Sequence, residues 1–445
     1  MAAAAAAVVA GEVTLAPAPA SSPSSMQQTI LSLASDCDSG CAQTVADRLT
    51  AAGCTRVRQF RSLGMVAAHC PTDASSSGGG GGAAGVGGMG AATASDEADG
   101  GGGQDWTTIP GVDAWEPDEG VTAATPVAST ERTAVSAATR PYLWGRDRIN
   151  QARLPLDRRI DTSRCYPRAG AGVHVFVLDT GCAWDHAEFS HLTRARHMAV
   201  VPAPGSDFPS GYDDNGHGTH VAGTVAGKTA GVAPDVYMTC VKVLRGDGNG
   251  TLADVVAGFD LATEWTINNP SVPVLLSVSL GAKRPDTSRG RGGRRPIDMA
   301  ERAAIAAVSS GAVIVAAAGN SNEDACDYTP ASDPHVIAVG NANRRDDLHK
   351  SSNWGRCVDV AAPGDRILSA DATSMPDGLV AHTGTSMAAP HVTGLAALVL
   401  AETNGGRRLL DSAAVVSALT SPGGVRVGGS PMAWLDQETC DMSEK

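Results

Sequence analysis

The chain has little positive charge to spare: 34 Lys and Arg stand against 47 Asp and Glu, a formal net charge of -13 at pH 7. Nucleic acid and anionic membrane surfaces are therefore not expected as partners, because both call for clustered Lys and Arg. The exception is Lys283 to Arg295, with six basic residues, which reads as a solvated loop rather than a site for acidic substrates. No apolar run reaches the roughly 18 residues a membrane-spanning helix needs, so no membrane span is expected. CxxC pairs and HExxH are both missing, which argues against zinc. No GxGxxG opens a helix after the first strand with an acid about 20 residues on, which removes a dinucleotide-binding enzyme. Ten cysteines are too few for a disulfide scaffold in 445 residues, but they allow several bridges in an oxidising compartment.

What is present divides along the chain. Residues 1–26 are rich in Ala, Val and Ala-Pro and read as a targeting segment, secretion or an extracellular destination first, with vacuole or plastid as alternatives. Residues 27–120 read as a small α+β unit, with an apolar run at Thr29 to Leu33, a helical stretch from Cys41 to Ala52, Val57 to Ala68, and a strand-like Val112 to Asp118. A Gly-rich insertion at 75–104 interrupts it and cannot bury enough side chain to offset ordering its backbone. Residues 121–140 are small and polar, a linker or processing region, and 436–445 form a tail.

Residues 141–435 alternate strand and helix. Val173 to Leu178, Val236 to Leu244, Val274 to Leu280, Ala312 to Ala318 and Val336 to Val339 are short apolar runs suited to strands buried on both faces. Helical stretches such as Leu252 to Trp265 and Asp298 to Val308 fall between them. The expected fold class is α/β, three layers around a mainly parallel central sheet, with functional groups at the strands' carboxyl ends.

Three segments carry chemistry. Asp179 follows the first apolar run directly, where an orienting acid is useful, although Asp-Thr-Gly is also an ordinary turn and occurs in aspartic proteases. His217 lies in Asn215-Gly216-His217-Gly218-Thr219-His220, flanked by glycines and leading into a helix of small residues. Ser386 lies in Gly384-Thr385-Ser386-Met387-Ala388-Ala389-Pro390-His391, at the start of an apolar helix. There the unpaired backbone N–H groups and the helix dipole favour the oxyanion formed when a serine attacks a carbonyl. Each segment has a bland reading as turn, structural histidine or cap, but the chain order Asp, His, Ser is the subtilisin order.

Val177-Leu178-Asp179-Thr180-Gly181, Gly216-His217-Gly218-Thr219-His220 and Gly384 to His391 resemble the three signatures of the subtilisin-like serine proteases, most closely the proteinase K branch. The resemblance covers roughly Trp144 to Ala401. It implies a serine endopeptidase of broad specificity with Asp179, His217 and Ser386 as triad and Asn320 as oxyanion-hole donor. By the same resemblance, substrate lies extended between Gly248-Asn249-Gly250 and Ser279-Leu280-Gly281, with Ala317 and Gly319 helping to wall a pocket. No cofactor is implied for catalysis. A structural calcium is implied at Asp359 with the carbonyls of Pro334 and Val336, and a disulfide between Cys326 and Cys357. Cys182, right after the triad acid, is expected to be free.

The unit at 27–120 resembles the inhibitory propeptide of these proteases. It implies a self-processing zymogen, cut between Val121 and Arg140 to leave an enzyme beginning near Tyr142, with its own propeptide, proteins and peptides as partners and a monomeric state. The alternative is a self-cleaved, propeptide-sealed scaffold that acts as a binding protein.

Overall fold

The computed structural model describes residues 26–34, 36–71, 109–117, 120–123, 135–136, 142–160, 162–163, 165–193, 195–199, 211–284, 299–373, 377–403, 411–420 and 424–435. The targeting segment up to residue 25, the Gly-rich insertion, most of the 121–140 linker, the basic segment beyond Arg284, Cys440 and the 436–445 tail lie outside the described residues.

The first unit contains β1 (Met26–Leu33), α1 (Ser39–Ala51), β2 (Thr55–Phe60), β3 (Met65–Pro71) and β4 (Val112–Pro117). Its strands form an antiparallel sheet in the order β2-β3-β1-β4. Alternation sorts the side chains: Leu31, Leu33, Val66 and Ala68 pack with Val45 and Leu49 of α1, while Ile30, Phe60, Met65 and Ala67 join a core shared with the main body. Asp38 caps α1 by accepting from Cys41 N at 2.9 Å. Disulfides Cys37–Cys41 and Cys54–Cys70 close this unit.

After β5 (Gly120–Ala123), β6 (Val135–Ser136) and α2 (Trp144–Arg148), the main body begins with β7 (His174–Asp179), β8 (Ala195–Ala199), α3 (His217–Ala226) and β9 (Tyr237–Lys242). It continues through β10 (Asn249–Thr251), α4 (Leu252–Asn268), β11 (Val274–Val278), β12 (Leu280–Lys283), α5 (Met299–Ser309) and β13 (Ala312–Ala317). Then come β14 (Tyr328–Thr329), β15 (Val336–Ala342), β16 (Val360–Pro363), β17 (Ile367–Ala370), β18 (Gly378–His382), α6 (Thr385–Glu402) and α7 (Ser412–Leu419).

Seven strands make an all-parallel sheet in the order β16-β15-β13-β11-β7-β9-β8. Val175 and Val177 pack toward α3, α6 and α7, whereas Phe176 and Leu178 pack toward α4 and α5. A strand with apolar residues on both faces needs helices on both faces, which gives the three layers. The first unit's sheet in turn lies against α4 and α5 through Ile30, Phe60 and Met65.

Two sequence expectations change. The run Val274 to Leu280 is not one strand: it breaks at Ser279, and Leu280 onward joins a different sheet, β10-β5-β12-β14. Apolar composition could not reveal the break, because the residues on both sides are buried. Cys182 is not free; it is bonded to Cys240 of β9, the parallel neighbour of the strand that ends at Asp179. Inside the segment read as linker, Val135–Ser136 pairs with β18.

Candidate active site

Chain order decides where the site forms. From β7 the chain builds β8 and β9 on one side, then crosses to place β11, β13, β15 and β16 on the other. Loops leaving β7 and β11 therefore diverge, and a crevice opens at their carboxyl ends. Asp179 ends β7 and Ser279 follows β11, with Leu178 opposite Val278 in the ladder.

Asp179 is fully buried, and its Oδ1 accepts from Thr180 N at 2.7 Å and pairs with His217 Nδ1 at 2.7 Å. His217 opens α3 behind Gly216, whose φ of +103° suits glycine. With Nδ1 held by a carboxylate, the neutral ring carries its proton there and presents Nε2 as a bare acceptor. That Nε2 is buried and makes no hydrogen bond. Burial pushes the His217 pKa down, but the Asp179 charge and hydrogen bond outweigh it, with Asp213 adding, so the pKa is raised above 6.5.

Ser386 is the second residue of α6, and its Oγ donates to Ser279 O at 3.4 Å, so the hydrogen bond from Ser386 to His217 Nε2 is not formed in this structure. Catalytic hydrogen bonds in proteins without substrate are often long and tighten later. Pro390 sits four residues after Ser386 and has no N–H for its carbonyl. The Ser279 hydroxyl takes that acceptor at 3.0 Å.

Asn320 follows β13, and its Oδ1 accepts from Thr385 N at 2.9 Å and Thr385 Oγ1 at 3.1 Å, which leaves Nδ2 as the amide's donor end beside the start of α6. Gly319 N bonds Thr385 Oγ1 at 3.2 Å. Gly319 has φ +104°, and a Cβ there would meet Asn353 Nδ2 at 2.3 Å. Ala317 is a buried β13 residue paired with Val339.

Gly248, Asn249 and Gly250 lie on one side of β5, and Leu280 and Gly281 on the other. The strand is antiparallel to both, with Val121 opposite Gly250, Thr122 opposite Asn249 and Gly281, and Ala123 opposite Leu280. Ala123 N donates to Gly248 O at 2.8 Å. Val121 and Ala123 turn into the core while Gly120 and Thr122 face out.

Asp359 precedes β16, accepting from Ala338 N at 2.8 Å and donating its own N–H to Ala338 O at 3.0 Å. Burial pushes its carboxyl up to about 6, and only backbone N–H groups oppose that push. As a whole residue Asp359 is solvent-exposed, Pro334 lies in the turn before β15 and Val336 opens that strand; carboxylate and carbonyl oxygens are the donors calcium takes. Among the described residues no group of three or more His, Cys, Asp or Glu could hold a metal. Cys326 and Cys357 form a disulfide.

Two charged residues of this region were not read from the sequence. Asp213 is buried and accepts from Thr180 Oγ1, Asn215 N, Gly216 N and Thr219. Lys242 is buried and its Nζ donates to Thr180 O at 2.8 Å, Leu244 O at 2.8 Å and Asp214 Oδ1 at 2.7 Å. The signal was available in principle: Asp213 and Asp214 sit just upstream of His217, and Lys242 is a charge inside an apolar run.

Comparison with known proteins gives the family. The model of the family described as "Subtilase family" matches residues 170–420. The chain is 42% identical over 264 residues to the extracellular serine proteinase of Thermus sp. (strain Rt41A), covering 59% of this chain and 58% of that protein. It is 38% identical over 299 residues to alkaline serine exoprotease A of Vibrio alginolyticus, covering 67% and 50%. It is also 37% identical over 298 residues to a cuticle-degrading serine protease of Orbilia oligospora, covering 66% and 64%. The chain thus spans half to under two thirds of the length of these relatives. Among solved structures, the crystal structure of a cold adapted subtilisin-like serine proteinase matches with a TM-score of 0.53 and 37% identity, covering 66% of this chain and 96% of that one.

Proposed function

The chain belongs to the subtilase family, and from that premise we propose that it is a serine endopeptidase that hydrolyses proteins and peptides through an acyl-enzyme. The observation that carries the reading is the Asp179–His217 pair at 2.7 Å with the ring's other nitrogen bare, on a helix packed against α6, which carries Ser386 at its start. A hydroxyl is too weak an acid to attack an amide unless a base removes its proton. In the proposed reaction, His217 Nε2 takes the Ser386 proton as Oγ attacks the carbonyl carbon, then returns it to the leaving amine. Asp179 holds the tautomer and stabilises the imidazolium. Asn320 Nδ2 and backbone N–H groups at the start of α6 receive the oxyanion. Water then repeats the sequence on the ester.

Extended pairing at β10 and β12 supports broad specificity, since main-chain hydrogen bonds ignore side-chain identity. The same pairing supports a zymogen: the unit at 27–120 delivers β5 between both edges in the manner of a substrate. The described part of β5 ends at Ala123, opposite Leu280, and Leu280 is the neighbour in sequence of Ser279, the residue bonded to Ser386. Ala124 lies outside the described residues, and the Ala124–Thr125 bond is the processing site we infer. Asp359 with the carbonyls of Pro334 and Val336 would hold a calcium whose contribution is structural. Extracellular relatives and the disulfides support secretion.

The second reading, a sealed scaffold that binds without turnover, draws on the same pairing of β5 with both edges. Incubating purified protein with casein and with a fluorophosphonate probe decides between them, with Ser386→Ala as control. Turnover and labelling that both vanish in the variant support the peptidase; their absence from the wild type supports the scaffold. Amino-terminal sequencing of processed protein should read from Thr125.

A further inference from the structure

We propose that Asp213 is a positioning residue for this reaction, a buried carboxylate that fastens the His217 helix to the turn carrying Asp179. The proposal rests on the peptidase reading and adds a part to it. His217 and Asp179 are 38 residues apart in sequence, and their 2.7 Å contact depends on what holds the two segments together.

Every backbone N–H from Gly216 to Thr219, at the start of α3, has an acceptor. Helix α3 opens with Gly216 as its cap, which has no side chain to serve the unpaired N–H groups of the first turn. Asp213 supplies the missing acceptors from upstream: Oδ1 takes Gly216 N at 2.8 Å and Asn215 N at 3.0 Å, and Oδ2 takes Thr219 N at 2.8 Å. His217 N goes to Asn215 Oδ1 at 3.1 Å, and Gly218 N to Thr180 Oγ1 at 2.9 Å. A negative charge at this end also suits the helix dipole.

The same carboxylate reaches the other segment. Thr180 Oγ1 donates to Asp213 Oδ1 at 2.8 Å, and Thr180 is the residue whose N–H holds Asp179 Oδ1. Thr219 Oγ1 donates to Oδ2 at 2.6 Å and accepts from Ala183 N at 3.0 Å, a second tie between helix and turn. The two segments meet backbone to backbone, since a Cβ on Gly218 would lie 2.2 Å from Gly181 O. Five donors leave no lone-pair site for an added proton or amide hydrogen. Asn at this position therefore puts an NH₂ against donors already there.

The test compares wild type, Asp213→Asn, Thr180→Val and the double variant in full-length protein, reading kcat and KM on a peptide substrate and thermal unfolding. A misplacement of about 1 Å can cost about 10²-fold in rate. The expected result is kcat down about 100-fold in each single variant with KM within about twofold, and a double variant no worse than about threefold below the poorer single, because both changes cut one link. Active wild type with Asp213→Asn at wild-type kcat overturns the positioning role alone, as does a variant that loses only thermal stability. Wild type without turnover overturns the peptidase reading and this one with it. Should Asp213→Asn fail to fold, Thr180→Val decides by the same split.

Discussion

The hydroxyl of Ser279 donates to the backbone carbonyl of Ser386 at 3.0 Å, filling the acceptor that Pro390 leaves open inside α6. One contact thus joins the end of β11, the start of β12 and the proposed nucleophile. Ser279→Ala orphans a buried carbonyl, which costs about 1–3 kcal/mol. The expected outcome is a lower thermal midpoint together with reduced kcat, whereas Thr263→Ala, another buried hydroxyl far along α4, should lower neither in step with the other. Equal kcat in Ser279→Ala and wild type would remove the link between this contact and catalysis.

Asn320→Ala removes the side-chain donor beside the start of α6 while its backbone stays in place at the end of β13. A loss of about 10²–10³ in kcat with KM little changed is expected. Ser386→Ala should lose on the order of 10⁶. Steady-state kinetics on one peptide substrate measures both, and an Asn320→Ala enzyme at full kcat excludes the oxyanion role.

The pH profile follows from His217. Its pKa lies above 6.5 because the Asp179 carboxylate outweighs the effect of burial. A base works only when neutral, so kcat/KM should climb with pH and reach its half-point above 6.5. Stability runs the other way: the raised folded pKa means that the charged ring's contribution is fully present below 6.5 and lost as pH rises through the folded value. Thermal unfolding of the inactive Ser386→Ala protein should therefore show a falling midpoint over the window in which wild-type activity rises. Loss of that fall in His217→Ala identifies the group, and an acid limb centred below 6 contradicts the pairing.

Calcium should stabilise the folded chain through Asp359. A ligand at about 100 times its Kd adds about 2.7 kcal/mol. The thermal midpoint should rise on adding calcium and fall with a chelator, and Asp359→Asn should erase the difference. An equal calcium response in that variant would move the ion elsewhere.

Much of this protein was legible in one dimension. Strands buried on both faces write themselves as unbroken apolar runs, so Val173 to Leu178 and Ala312 to Ala318 matched the observed strands within a residue or so. Motif spacing singled out Asp179, His217 and Ser386 as candidates, because one strand-end turn and two helix starts need glycines at set offsets. Tertiary structure alone decided what joins them. The break at Ser279 was hidden because burial continues across it, and the Cys182–Cys240 bridge because pairing depends on which strands become neighbours. The position of Asp213 upstream of His217 was in view but its role was not: a carboxylate's donors come from wherever the fold brings an N–H or O–H, and Thr180 and Thr219 meet it only once β7 and α3 have packed.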